Sequence, residues 1–163
     1  MSNVKKVTKD KNLRIIPLGG LGEVGRNMIL FEYRKAILIV DMGLGFPGED
    51  MPGIDCTIPN ITSLKGREKN ILGAILTHGH YDHIGAIPYL LPKIGPIPLY
   101  ASSLTKGMIL KRQEDFSGQP KLKIKEVKIN FCLLLILGRG NFCQNFVGDI
   151  KIGINFLNII MIF

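Results

Sequence analysis

Three histidines occur in the chain, and all three fall within six residues: His78, His80 and His83, in the run Thr77-His78-Gly79-His80-Tyr81-Asp82-His83. Imidazole and carboxylate are the groups that zinc and related divalent metals accept as ligands. In an extended stretch His78 and His80 share one face and can grip a single ion. Asp82 and His83 follow in the turn and reach a second ion beside the first. Gly79 lets the backbone bend so that these side chains converge. A single histidine would be read as an ordinary packed imidazole; this cluster reads as a metal site.

Such a loop needs a rigid strand behind it. Residues 71–76 (ILGAIL) form a short apolar run that predicts a buried strand ending at Thr77, and loops leaving strand ends are where layered α/β folds place sites. Further strands are expected at 13–18 and at 28–33 with 36–40, the last two joined as a hairpin through Arg34-Lys35. More follow at 97–100 and at 121–127, where KLKIKEV alternates. Helical spacing predicts a helix over 83–91 ended by Pro92, and a second, capped by Ser102 or Ser103, running to about Phe116. Residues 41–60 are rich in Gly, Pro and acids and read as a long loop. Strands that alternate with helices after residue 70 point to an α/β layered domain.

Composition limits the remaining possibilities. The 163 residues carry a net charge of +8 and 46% hydrophobic side chains, a globular composition with room for one domain. The basic excess suits a polyanion such as RNA, with Lys106, Lys111, Arg112, Lys121, Lys123, Lys125 and Lys128 as candidate backbone contacts; a solvated charged face is the competing reading. Cys56, Cys132 and Cys143 form no CxxC pair, so neither a disulfide framework nor a zinc ribbon is expected, and Cys56 reads as a packed residue. Glu23, Glu49 and Asp50 read as solvated loop carboxylates. No apolar run reaches the ~18–20 residues that span a bilayer, and the basic start, residues 1–12, is followed by no apolar signal core. No membrane association and a cytoplasmic location are therefore expected.

A dinucleotide fingerprint, Gly20-x-Gly22-x-x-Gly25 with Asp41 downstream, is also present. It would require residues 22–35 to be helical. MILFEY carries bulky side chains on every side, which a surface helix would expose, so the nucleotide reading is set aside.

HGHYDH matches the HxHxDH signature of the metallo-β-lactamase superfamily of metal-dependent hydrolases. The segments LRIIPLGGLGEVGRNM, DMGLGFPGEDMPGIDCTIPNIT, ILTHGHYDHIGAIPYLL and IPLYAS resemble the N-terminal part of the ribonuclease J family. The resemblance runs from about Leu13 to about Val127. It implies the N-terminal portion of an αββα sandwich over residues 13–128 and two divalent metal ions, zinc by preference with manganese or magnesium as alternatives. It further implies 5′-to-3′ exonucleolytic and endonucleolytic hydrolysis of RNA, and a homo-oligomer for a full-length member. Carried over by position, His78 and His80 hold the first metal, Asp82 and His83 hold the second, and Asp82 with His83 carry the catalytic step. Asp41, at the end of AILIV, supports the metal loop.

The match also has an edge. Only three charged residues, Arg139, Asp149 and Lys151, follow Ile129, in a stretch otherwise dominated by Ile, Leu, Phe, Asn and Gly. No histidine follows His83, whereas the family pattern requires later ligands and an inserted β-CASP domain. A truncated or frame-shifted member with an aberrant hydrophobic tail at 129–163 is expected. Two further function classes are carried forward: a non-catalytic metal-binding fragment, and a superfamily hydrolase acting on a thioester or lactam.

Overall fold

The structure, a computed structural model, describes residues 12–116, 118 and 121–127. The expectations for the N-terminal dozen, apart from Asn12, and for the tail at 129–163 lie outside the described residues. All described residues up to Glu126 belong to one compact unit.

Six strands form one sheet in chain order: β1 Leu13–Gly19, β2 Met28–Tyr33, β3 Ala36–Val40, β4 Ile71–Ile75, β5 Pro98–Ala101 and β6 Lys123–Glu126. The first three run antiparallel, and β3 through β6 run parallel. The hairpin pairs Tyr33 with Ala36 across Arg34-Lys35, where Arg34 adopts a left-handed φ of 56°. Parallel neighbours need crossovers, and these are the long 41–70 connection, then helices α1 Tyr81–Ile84 and α2 Ile87–Ile94, then α3 Ser103–Glu114.

Strands β2 to β4 are largely buried on both faces, as central strands of a layered fold are, whereas β1 and β6 are partly exposed. On one face Met28, Leu30, Ile37 and Ile39 pack with Ala74 and Leu99 in a single cluster. Helix α2 adds Ile87, Leu90, Leu91 and Ile94, the i, i+3, i+4, i+7 stripe of a helix that covers a sheet. Each such side chain contributes roughly 1.5–3 kcal/mol on burial. The alternate residues Phe31, Tyr33, Leu38 and Tyr100 are buried as well.

The helix expected at 83–91 is displaced and divided. One turn covers Tyr81–Ile84, and a second helix starts at Ile87 and continues past Pro92 to Ile94. Pro92 lies inside the helix because its neighbours Leu90, Leu91 and Ile94 are fully packed, and that packing outweighs one missing backbone hydrogen bond. Gly95, at φ 87°, makes the actual stop, its N–H bonding the Leu91 carbonyl at 2.9 Å. Helix α3 begins as its capping residue predicts, with the Ser102 hydroxyl accepting from the Thr105 N–H at 3.3 Å. Residues 28–33 are strand β2, so the helix required by the dinucleotide reading does not exist.

Candidate metal centre

The site lies at the carboxyl ends of two adjacent parallel strands. Asp41 follows β3, Thr77 through His83 follow β4, and the Asp41 N–H bonds the Ile75 carbonyl at 2.9 Å. Asp41 takes a left-handed φ of 61°, a conformation Asp tolerates better than most residues. Its buried carboxylate accepts from the Thr77 N–H at 2.8 Å and from the Thr77 hydroxyl at 2.9 and 3.0 Å, and meets His83 Nδ1 at 2.8 Å. One side chain therefore closes the start of the loop onto its end.

That arrangement decides which ring nitrogens remain available. His83 Nδ1 is engaged by Asp41, so its Nε2 is turned to Asp82 Oδ2 at 3.3 Å. His78 Nδ1 faces the Thr77 hydroxyl at 3.1 Å, and its Nε2 meets His80 Nδ1 at 3.0 Å. Two atoms bound to one tetrahedral ion at bond lengths of about 2.0–2.2 Å sit roughly 3.3–3.6 Å apart. Both pairs lie close to that separation, and the ring centroids of His78 and His83 are 4.0 Å apart. The donor set thus fits divalent cations in both chemistry and spacing. Among the described residues, no group of three or more His, Cys, Asp or Glu side chains converges on a single point. The ligands come as two pairs.

The electrostatics separate the exposed His78 ring from the half-buried His83 ring. Burial, together with the nearby rings of His83 and His80, holds His78 below its ordinary pKa. Burial also works against the charged form of His83, but the Asp41 hydrogen bond and the charges of Asp41 and Asp82 outweigh it, and that ring is raised. A metal must therefore displace a more firmly held proton at His83 than at His78.

The loop is also seated on its neighbours through backbone. Met42 and Leu44 donate to the carbonyls of His83 and Tyr81 at 2.8 and 3.0 Å, and Asn27 donates to that of Asp82 at 3.1 Å. This approach depends on Gly43, where a Cβ would lie 1.5 Å from the Asp82 carbonyl oxygen. Gly79 is confined by a side chain only, its missing Cβ falling 2.2 Å from Met108 Sδ on α3.

All five residues proposed from the sequence, Asp41, His78, His80, Asp82 and His83, meet in this one place. Sequence reasoning missed Gly43 and Asn27; the Asn27 amide reaches Asp82, and the asparagine sits in the glycine-rich segment that had been weighed only for nucleotide binding. Glu23 is not a free loop carboxylate. It accepts from Arg26 and from the Gly20 N–H at 2.9 Å, contacts that lower its pKa and staple the 20–27 turn. Of the cationic candidates, Lys106, Lys111 and Arg112 pair with Glu126, Glu114 and Asp115. Cys56 is a half-buried free thiol packed against the core, as expected.

A family model described as the metallo-beta-lactamase superfamily matches residues 21–142. The chain belongs to the metallo-β-lactamase superfamily. Within it, a Thermus thermophilus protein named Ribonuclease J is 43% identical over 121 residues, which cover 71% of this chain and 21% of that protein. The Ribonuclease J of Helicobacter pylori is 44% identical over 98 residues, 60% of this chain and 14% of the relative. The chain thus spans about a fifth or less of the length of these relatives. Among solved structures, human tRNase Z, short form, aligns with a TM-score of 0.46 at 19% identity, covering 71% of this chain and 47% of that one. Among the described residues no helix is long and apolar enough to cross a membrane.

Proposed function

We propose that this chain supplies the metal loop of an RNA phosphodiester hydrolase of the ribonuclease J type, acting from the 5′ end and internally. The observation that carries the proposal is the pairing of ligand atoms, His78 Nε2 with His80 Nδ1 and Asp82 Oδ2 with His83 Nε2, on a frame locked by Asp41. The likeness to proteins named Ribonuclease J supplies the substrate class. His78 and His80 would hold one divalent ion and Asp82 and His83 the other, with zinc favoured by the nitrogen-rich set and manganese or magnesium as alternatives. Bound there, the ions supply charge stabilisation for a phosphoryl group and a water acidic enough to act near neutral pH.

The protein's own part is orientation and proton handling. Asp41 fixes the His83 tautomer by holding Nδ1, which leaves Nε2 as the ring nitrogen that would meet a metal. Asp82 is the carboxylate placed to accept a proton from the attacking water, and Thr77 prevents Asp41 from swinging away. RNA as partner, a cytoplasmic setting and homo-oligomeric assembly belong to the same proposal.

A chimaera tests it. Residues 13–127 replace the matching segment of the Thermus thermophilus Ribonuclease J, and turnover of a 5′-monophosphorylated, end-labelled RNA is followed. Chelator-sensitive decay that disappears in His80→Ala is expected. A folded, metal-loaded chimaera that leaves RNA intact but opens a thioester or lactam would contradict the proposal.

A further inference from the structure

The segment between β1 and β2 ends in Asn27, whose side chain enters the metal centre from a part of the chain 55 residues away. Its Nδ2 lies 3.1 Å from the Asp82 carbonyl oxygen, 3.2 Å from Asp82 Oδ2 and 3.3 Å from His83 Nε2. The orientation of the amide is fixed by these neighbours, because the reverse placement would set its oxygen against two oxygens of Asp82. It is also fixed from behind. Asn27 Oδ1 lies over Gly20, where a Cβ would come within 2.4 Å of it, and the Asn27 backbone donates to Asp82 and accepts from Gly43 at 2.9 Å.

We propose that Asn27 is a positioning residue for the Asp82–His83 pair. With His83 Nδ1 held by Asp41, the Nε2 lone pair and the Asp82 Oδ2 charge converge on one N–H-bearing atom, the Asn27 amide nitrogen. With His83 neutral, two acceptors 3.3 Å apart repel one another, and a rigid donor shared between them holds them in one orientation. A second ion would take the Nε2 lone pair from the amide and find a ring and carboxylate already oriented toward it. The first pair, His78 and His80, makes no hydrogen bond to Asn27 and does not depend on it.

This rests on the metal reading above, and the experiment separates the two. Asn27→Leu, near-isosteric and without a donor, and Asn27→Ala are compared with the unsubstituted 163-residue chain in two measurements. In a cobalt(II) titration followed by visible absorption, one class of site is expected to weaken about 10–100-fold, the range typical when a residue that orients a ligand is lost. The other class should keep its affinity and its spectrum. In the metal-free protein, the ring ¹⁵N resonances of His83 should move in both variants while those of His80 stay in place. Cobalt binding that matches the unsubstituted chain overturns the proposal, as does equal weakening of both classes in a folded variant. Loss of folding in both variants also overturns it, since Asn27 would then be structural. An unsubstituted chain that takes up no cobalt refutes the metal reading instead. In that case, movement of the His83 resonance still assigns the contact, and an unmoved resonance removes the positioning role as well.

Discussion

Two polar regions of the molecule are built on opposite rules. At the ends of β3 and β4, Asp41, Asp82 and His83 are partly or fully buried and bound to groups far away in sequence, 36 residues for Asp41 with Thr77 and 42 for Asp41 with His83. On α3 Lys111 pairs with Glu114 within one turn, both at exposed positions. Burial makes each contact in the first region costly to lose, because an orphaned buried acceptor keeps its desolvation penalty. Water covers the loss in the second, where an exposed pair is worth ~0–1 kcal/mol. Chemistry is concentrated in the region where the fold, rather than local sequence, chooses the partners.

The sharpest way to break this contrast is at Gly43, which carries no chemistry. Gly43→Val would force a side chain into the space occupied by the Asp82 carbonyl. Denaturant unfolding should show a loss of several kcal/mol, at or beyond the upper end of ordinary substitutions, together with loss of metal uptake. Next comes Asp41→Asn, which keeps the shape but cannot hold His83 Nδ1–H and both Thr77 donors equally. Zinc affinity measured against a chromogenic chelator should fall about 10–100-fold. Lys111→Ala stands at the other extreme and should leave the unfolding free energy within about 0.5 kcal/mol. A stability loss at Lys111 as large as that at Asp41 would erase the distinction between the regions.

What could be read in advance follows the same division. The strands were legible because short apolar runs bounded by Gly, Pro and charge mark them, and the ligand residues were legible because three histidines in six positions are chemically conspicuous. Ser102 was legible as a cap because capping is a local interaction. Pro92 misled because its helical placement is decided by the packing of Leu90, Leu91 and Ile94 against the sheet. Gly43 and Asn27 were hidden because their roles come from backbone approaches across 39 and 55 residues, which no local pattern encodes. Glu23 was misjudged for a milder reason, since its partners depend on the tight turn made by Gly20, Gly22 and Gly25.

The central claim is that His78, His80, Asp82 and His83 hold divalent metal, and metal content after exhaustive desalting tests it directly. Elemental analysis of the 163-residue chain, refolded with zinc or manganese, should find partial occupancy, since two ligand atoms per ion grip weakly. The His78→Ala/His80→Ala variant, folded to the same extent by circular dichroism, should lose the metal held by that pair and keep at most the share held by Asp82 and His83. Equal metal in the two proteins would contradict the account.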